Sequence, residues 1–121
     1  YAKVISWAYI DALPEQPIGA WWARADFVKK NPDAVARYAK AIHDSMEYMN
    51  ADADRARRDI AEYTRLKLDL IKDMPLNRWS DRIDPAKWQA VADMMHASGE
   101  LQKAHKASEY LSDVVKPFII K

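Results

Sequence analysis

The chain divides into two patterning regimes. Residues 3–10 (KVISWAYI) and 18–23 (IGAWWA) are short apolar runs rich in β-branched and aromatic side chains, the composition of strands. Between them, residues 11–16 carry Pro14 and read as a loop. In the second run Trp21 and Trp22 are adjacent, so a strand would send them to opposite faces. Two strands do not make a stable sheet unaided, and the pattern predicts that they pair with further strands.

From Asp26 onward the period becomes helical. Asn31-Pro32-Asp33 is a helix start, with Asn31 as N-cap, Pro32 at the first helical position and Asp33 in the first turn. Behind it Val35, Tyr38, Ala39, Ile42, Met46 and Met49 recur at steps of three and four, one apolar stripe ending near Asn50. Asp52 is predicted to cap the next helix, with Ala56, Ile60 and Tyr63 inward and Arg55, Arg57 and Arg58 on a solvated face. Leu66, Leu68 and Leu70 alternate as in a strand, while Leu66, Leu70 and Met74 fit the favoured reading, a short helix capped by Thr64 and stopped before Pro75, followed by an irregular stretch over residues 75–83. Asp84-Pro85 opens a helix whose inner face is Trp88, Val91, Ala92 and Met95, with Gly99 as its left-handed terminator. A last short helix is expected over residues 108–115, ended by Pro117.

Composition narrows the function classes. Lys and Arg number 19 against 18 Asp and Glu, so no basic excess marks a nucleic-acid partner. No window approaches the ~20 apolar residues of a membrane span, and no membrane insertion is expected. The chain has no cysteine, which removes disulfides, thiolate metal sites and thiol nucleophiles. Two glycines cannot build a Gly-rich phosphate loop.

The order of the elements carries a resemblance. An aromatic run, then DFVKKNPDAVARYAKAIHDSMEYMNADADRARRDIAEYT, then IDPAKWQAVADMMHASGEL, then YLSDVVKPFI resembles the closing third of a family of periplasmic solute-binding proteins. These proteins serve ABC importers of nitrate, sulfonates, taurine and thiamine precursors. The likeness spans residues 18–118, and its specificity lies in the order and spacing of caps that are individually generic. It implies an α/β protein: the mostly helical C-terminal part of a type II periplasmic-binding fold, two N-terminal strands followed by about five helices. Residues 1–24 would supply strands of a central sheet and residues 25–121 the helical part of a lobe, in one fragment. The implied function is capture of a small anionic or heteroaromatic solute by lobe closure, with delivery to an ABC permease. The implied location is the periplasm, with the signal peptide in a part not included here. Self-association of the isolated chain is a further expectation, since strand edges seek partners.

Trp7, Tyr9, Trp21 and Trp22 are the candidate ligand residues, able to stack on a planar solute or offer an indole N–H, against the plainer role of core aromatics. Arg24 is a candidate for a sulfonate or carboxylate, against an ordinary surface arginine. Among His43, His96 and His105 no pair has the carboxylate-flanked i,i+4 spacing of a helical metal site, so no metal and no cofactor are expected. The acidic pairs Asp52/Asp54 and Asp81/Asp84 sit at helix starts, where capping accounts for them better than acid–base chemistry. No serine has a nucleophile motif, and no enzymatic activity is expected. The competing reading is a helical protein–protein interaction module, which needs amphipathic helices but no strand pair.

Overall fold

The computed structural model describes Lys3 and residues 5–120 of the chain, with Tyr9 and Ile10 placed as backbone. Among these residues the elements are α1 (Ala8–Ala12), α2 (Ala25–Lys30), α3 (Pro32–Ala51), α4 (Ala53–Thr64), α5 (Leu68–Ile71) and α6 (Pro85–Ala97). Two 3-10 helices follow, Ala107–Tyr110 and Asp113–Phe118. No strand forms among the described residues, where Ile83 and Ile119 are no more than single bridge positions.

The expected α/β class with two N-terminal strands is therefore corrected to a helical one. The cause is visible in each run. In the first, Asp11 closes a turn: its carboxylate accepts the Ser6 hydroxyl at 2.7 Å and the Trp7 N–H at 3.1 Å. Its own N–H donates to the Trp7 carbonyl at 2.9 Å. That local satisfaction of backbone and side chain favours one helical turn over an extended chain. In the second run, residues 18–23 have no regular structure and are exposed throughout. A β-branched and aromatic composition favours a strand only where a pleated neighbour receives it.

By its internal contacts the chain forms two compact units, residues 33–83 and the combination of 1–32 with 84–121. In the first, Asp52 caps α4 as expected, its Oδ1 accepting the Asp54 and Arg55 N–H groups at 3.0 Å each. Ala56 is fully buried and Ile71 is 1% exposed, and α4 packs on α5 around them. Two of the arginines placed on a solvated face turn back onto the protein. The Arg55 guanidinium lies 3.8 Å from the centre of the Tyr48 ring and donates to the Tyr48 carbonyl. Arg57 donates to the Met74 carbonyl at 3.3 Å. Each guanidinium thus finds a carbonyl acceptor through one terminal nitrogen, while the Nε of both arginines is buried without a hydrogen-bond partner among the described residues. Tyr63, expected inward, is exposed.

The connection after α4 is also shorter in helix than its pattern suggests. Arg65 takes the left-handed conformation with φ 59°, which ends α4. Thr64 donates to the Ile60 carbonyl at 2.6 Å and accepts from the Leu66 N–H, so it closes α4 rather than opening α5. Similarly, the Asn31 side chain donates back to the Phe27 carbonyl at 3.1 Å, closing α2 instead of capping α3. In the other unit α6 follows its sequence signals. Asp84 Oδ1 accepts from Ala86 and Lys87, Pro85 sits at the start, and Gly99 (φ 83°) ends it. The Gly99 N–H donates to the His96 carbonyl at 3.1 Å, and beyond the glycine the Leu101 N–H reaches the Met95 carbonyl at 3.1 Å. The single helix expected over residues 108–115 is instead the two 3-10 turns, the second capped by Ser112 and containing Pro117.

Candidate functional site

α6 organises a cluster of aromatic and polar side chains in its unit. Gln89, one turn into the helix, clamps the segment before the first 3-10 turn. Its amide donates to the His105 carbonyl at 3.0 Å and accepts from the Ala107 N–H at 2.8 Å. Ala107 is buried as a result, and the turn Ala107–Tyr110 packs on α6. That clamp sets Tyr110, whose hydroxyl is 2.7 Å from His105 Nδ1. The His105 and Tyr110 rings lie 5.8 Å apart at 56°.

Trp22 completes the cluster from the extended segment. Its ring meets Trp88 of α6 at 6.1 Å and 79°, and Tyr110 at 6.2 Å and 90°. Both are edge-to-face contacts, the arrangement the ring quadrupoles favour. Trp22 nonetheless remains 69% exposed, so two contacts fix the ring while most of its surface stays in water. A tie between Lys87 Nζ and Glu15 Oε2 at 2.8 Å joins α6 to the loop that leads into this segment.

The other sequence candidates are placed differently. Trp7 and Trp21 are each 59% exposed, and among the described residues neither joins the Trp22 cluster. The side chain of Tyr9 lies outside the described residues. Arg24 is held by its neighbour: Nε and Nη2 donate to the two Asp26 oxygens at 3.0 and 3.4 Å. The same pairing holds the Asp26 carboxyl below the usual aspartate range. An anion that sought Arg24 would compete with that carboxylate.

Trp88, Tyr110, His105 and Gln89 were not among the sequence candidates. Trp88 was read as a core position of α6, and nothing in the spacing joins it to Trp22, 66 residues earlier. The signal available was that Trp22, Trp88 and Tyr110 fall in three of the four segments on which the resemblance rests.

A separate polar group lies on α3. His43 Nδ1 is 3.5 Å from Asp44 Oδ1 and 3.7 Å from Glu47 Oε2, and the three donor atoms lie within 4.8 Å of one another. The HDSME spacing that puts a histidine four residues before a glutamate would have identified it, but comparing histidines only with each other does not. Asp52 and Asp84, the other acidic candidates, both serve as N-caps. No helix among the described residues is long and apolar enough to cross a membrane. No family model matches the chain, and neither the curated proteins nor the solved structures give a match.

Proposed function

We propose that this chain belongs to a solute-binding component of an ABC importer, exported to the periplasm, and that Trp22 is its solute-stacking residue. One observation carries the reading. The aromatic run, the Asp-Pro helix and the closing YLSDVV segment, which resemble the binding family by order alone, converge on one cluster of Trp22, Trp88 and Tyr110. A held but largely exposed indole suits stacking against a planar heteroaromatic solute, because its position is set before the ligand arrives. The role is non-enzymatic: the protein captures the solute and passes it to a permease.

The test is tryptophan fluorescence of the complete gene product, titrated with nitrate, taurine, aromatic sulfonates and pyrimidine bases. A saturable change with one class, weakened at least tenfold in Trp22→Ala, is the expected result. A flat response across the panel would overturn the reading.

A second reading, the helical interaction module, is favoured by the exposed surface. Ile18, Trp21, Phe27, Tyr63 and Leu70 are among the exposed apolar side chains. Sedimentation of the 121-residue chain separates the outcomes. Concentration-dependent association at tens of micromolar supports a docking role or self-association, and a monomer throughout removes that support.

A further inference from the structure

We propose that His43, Asp44 and Glu47 form a binding site for a zinc-class divalent transition-metal ion on α3. The three residues fall within five positions of a 20-residue helix, so their backbone positions are fixed relative to one another. The distances are informative. His43 Nδ1 stands 3.5 Å from Asp44 Oδ1 and 3.7 Å from Glu47 Oε2. These two lie near the roughly 3.3–3.6 Å edge of a tetrahedral shell with zinc–ligand bonds of about 2.0–2.2 Å, and the third pair, Asp44 and Glu47, within 4.8 Å, closes on an ion by side-chain rotation. An octahedral magnesium shell would need edges of about 3.0 Å, and both magnesium and calcium prefer oxygen to imidazole nitrogen.

The surroundings suit a cation. The His43 side chain is 14% exposed, so packing holds the ring, while the two carboxylates stand half in water where an ion can reach them. Lys40 Nζ binds the other oxygen of Asp44 at 2.6 Å, orienting the carboxylate with Oδ1 toward His43, as outer-shell partners do in metal sites. The two carboxylates oppose the positive charge of the ion, and Lys40 offsets part of that at Asp44. Three protein ligands leave one position for water or a solute donor. The site is independent of the solute-binding reading, since it lies in the other unit.

The experiment is calorimetric titration of the chelator-treated 121-residue chain with zinc(II), with cobalt(II) absorption as a geometry reporter. The expected result is one ion per chain at micromolar affinity, with intense visible cobalt bands of a tetrahedral site. His43→Ala and the more exposed Glu47→Gln should each weaken binding at least tenfold with unchanged helical circular dichroism, while His96→Ala keeps it. Equal affinity in the wild type and Glu47→Gln, or a cobalt spectrum that stays that of the hydrated ion, would overturn the site.

Discussion

The unit of residues 33–83 and the unit that joins residues 1–32 to 84–121 are both helical, but different kinds of contact hold them. In the first, most ties are close in sequence. Asp52 caps the helix it precedes, Thr64 closes the helix it ends, and Arg55 folds onto Tyr48 one turn before α4. Its longer ties, Asn50 to the Trp79 carbonyl and Arg57 to the Met74 carbonyl, are single hydrogen bonds. The second unit depends on contacts across long stretches of chain, Lys87 to Glu15 and Trp22 to Trp88 and Tyr110, with Gln89 to His105 and Ala107 spanning as much chain as Arg57 to Met74 does. Local ties form wherever the sequence places them. Distant ones require the whole unit to be assembled first, at the cost of closing long loops. A candidate solute site in the second unit therefore inherits the stability of that assembly.

Four perturbations probe this contrast. The largest effect is expected from Ile71→Ala. Ile71 is the largest fully buried side chain, and its truncation should cost about 2–5 kcal/mol. Amide exchange should accelerate first across α4 and α5; if protection there is unchanged, that core does not hold the unit. Gln89→Leu comes next, because it leaves the buried Ala107 N–H and the His105 carbonyl without their partner. A loss of about 1–3 kcal/mol is expected, read by chemical denaturation, together with a changed emission from Trp22 and Trp88. If stability fell while tryptophan emission stayed the same, the clamp would be separate from the aromatic cluster.

Asp84→Ala tests a local tie inside the unit dominated by distant ones. It should cost about 1 kcal/mol, as N-cap loss usually does, and Asp84→Asn should recover most of it. The smallest effect is that of pH at Asp52. Backbone hydrogen bonding from Arg55 first, then Asp54, lowers its carboxyl from the ordinary 3.8 against the opposing effect of desolvation. The folded helix prefers the ionised form, so this contribution is present above the unfolded value and disappears as pH falls through the lower folded one. Helical ellipticity followed from pH 5 downward should show a shallower acid loss in Asp52→Asn, which keeps a capping oxygen without titrating. Identical acid profiles would remove Asp52 as a contributor.

Legibility in the sequence follows the same contrast. The start of α4 at Asp52, the start of α6 at Asp84-Pro85 and its end at Gly99 were all readable, because a cap and the helix it serves are neighbours in the chain. The stripe read along α3 is only half buried at Val35, Ala39, Ile42, Met46 and Met49, and Tyr38 is exposed, so its spacing gave the helix but not a core. Strand composition in residues 3–10 and 18–23 misled, since Asp11 satisfied the first run locally and no neighbour received the second. Asn31 and Thr64 were read as N-caps, although each closes the preceding helix, because their side chains can bond in either direction along the backbone.

The candidate site divides in the same way. Trp22 was one of four aromatic candidates in the sequence, but its partners Trp88 and Tyr110 come from segments whose separation from it no periodicity encodes. Sequence by itself determined the starts of α4 and α6 and the end of α6, because backbone hydrogen-bond accounting and left-handed residues act within one turn. Tertiary structure decided which aromatic side chains meet, which arginines turn inward and whether the apolar runs become strands. Those outcomes depend on neighbours supplied by distant chain, and on the free energy of bringing that chain together.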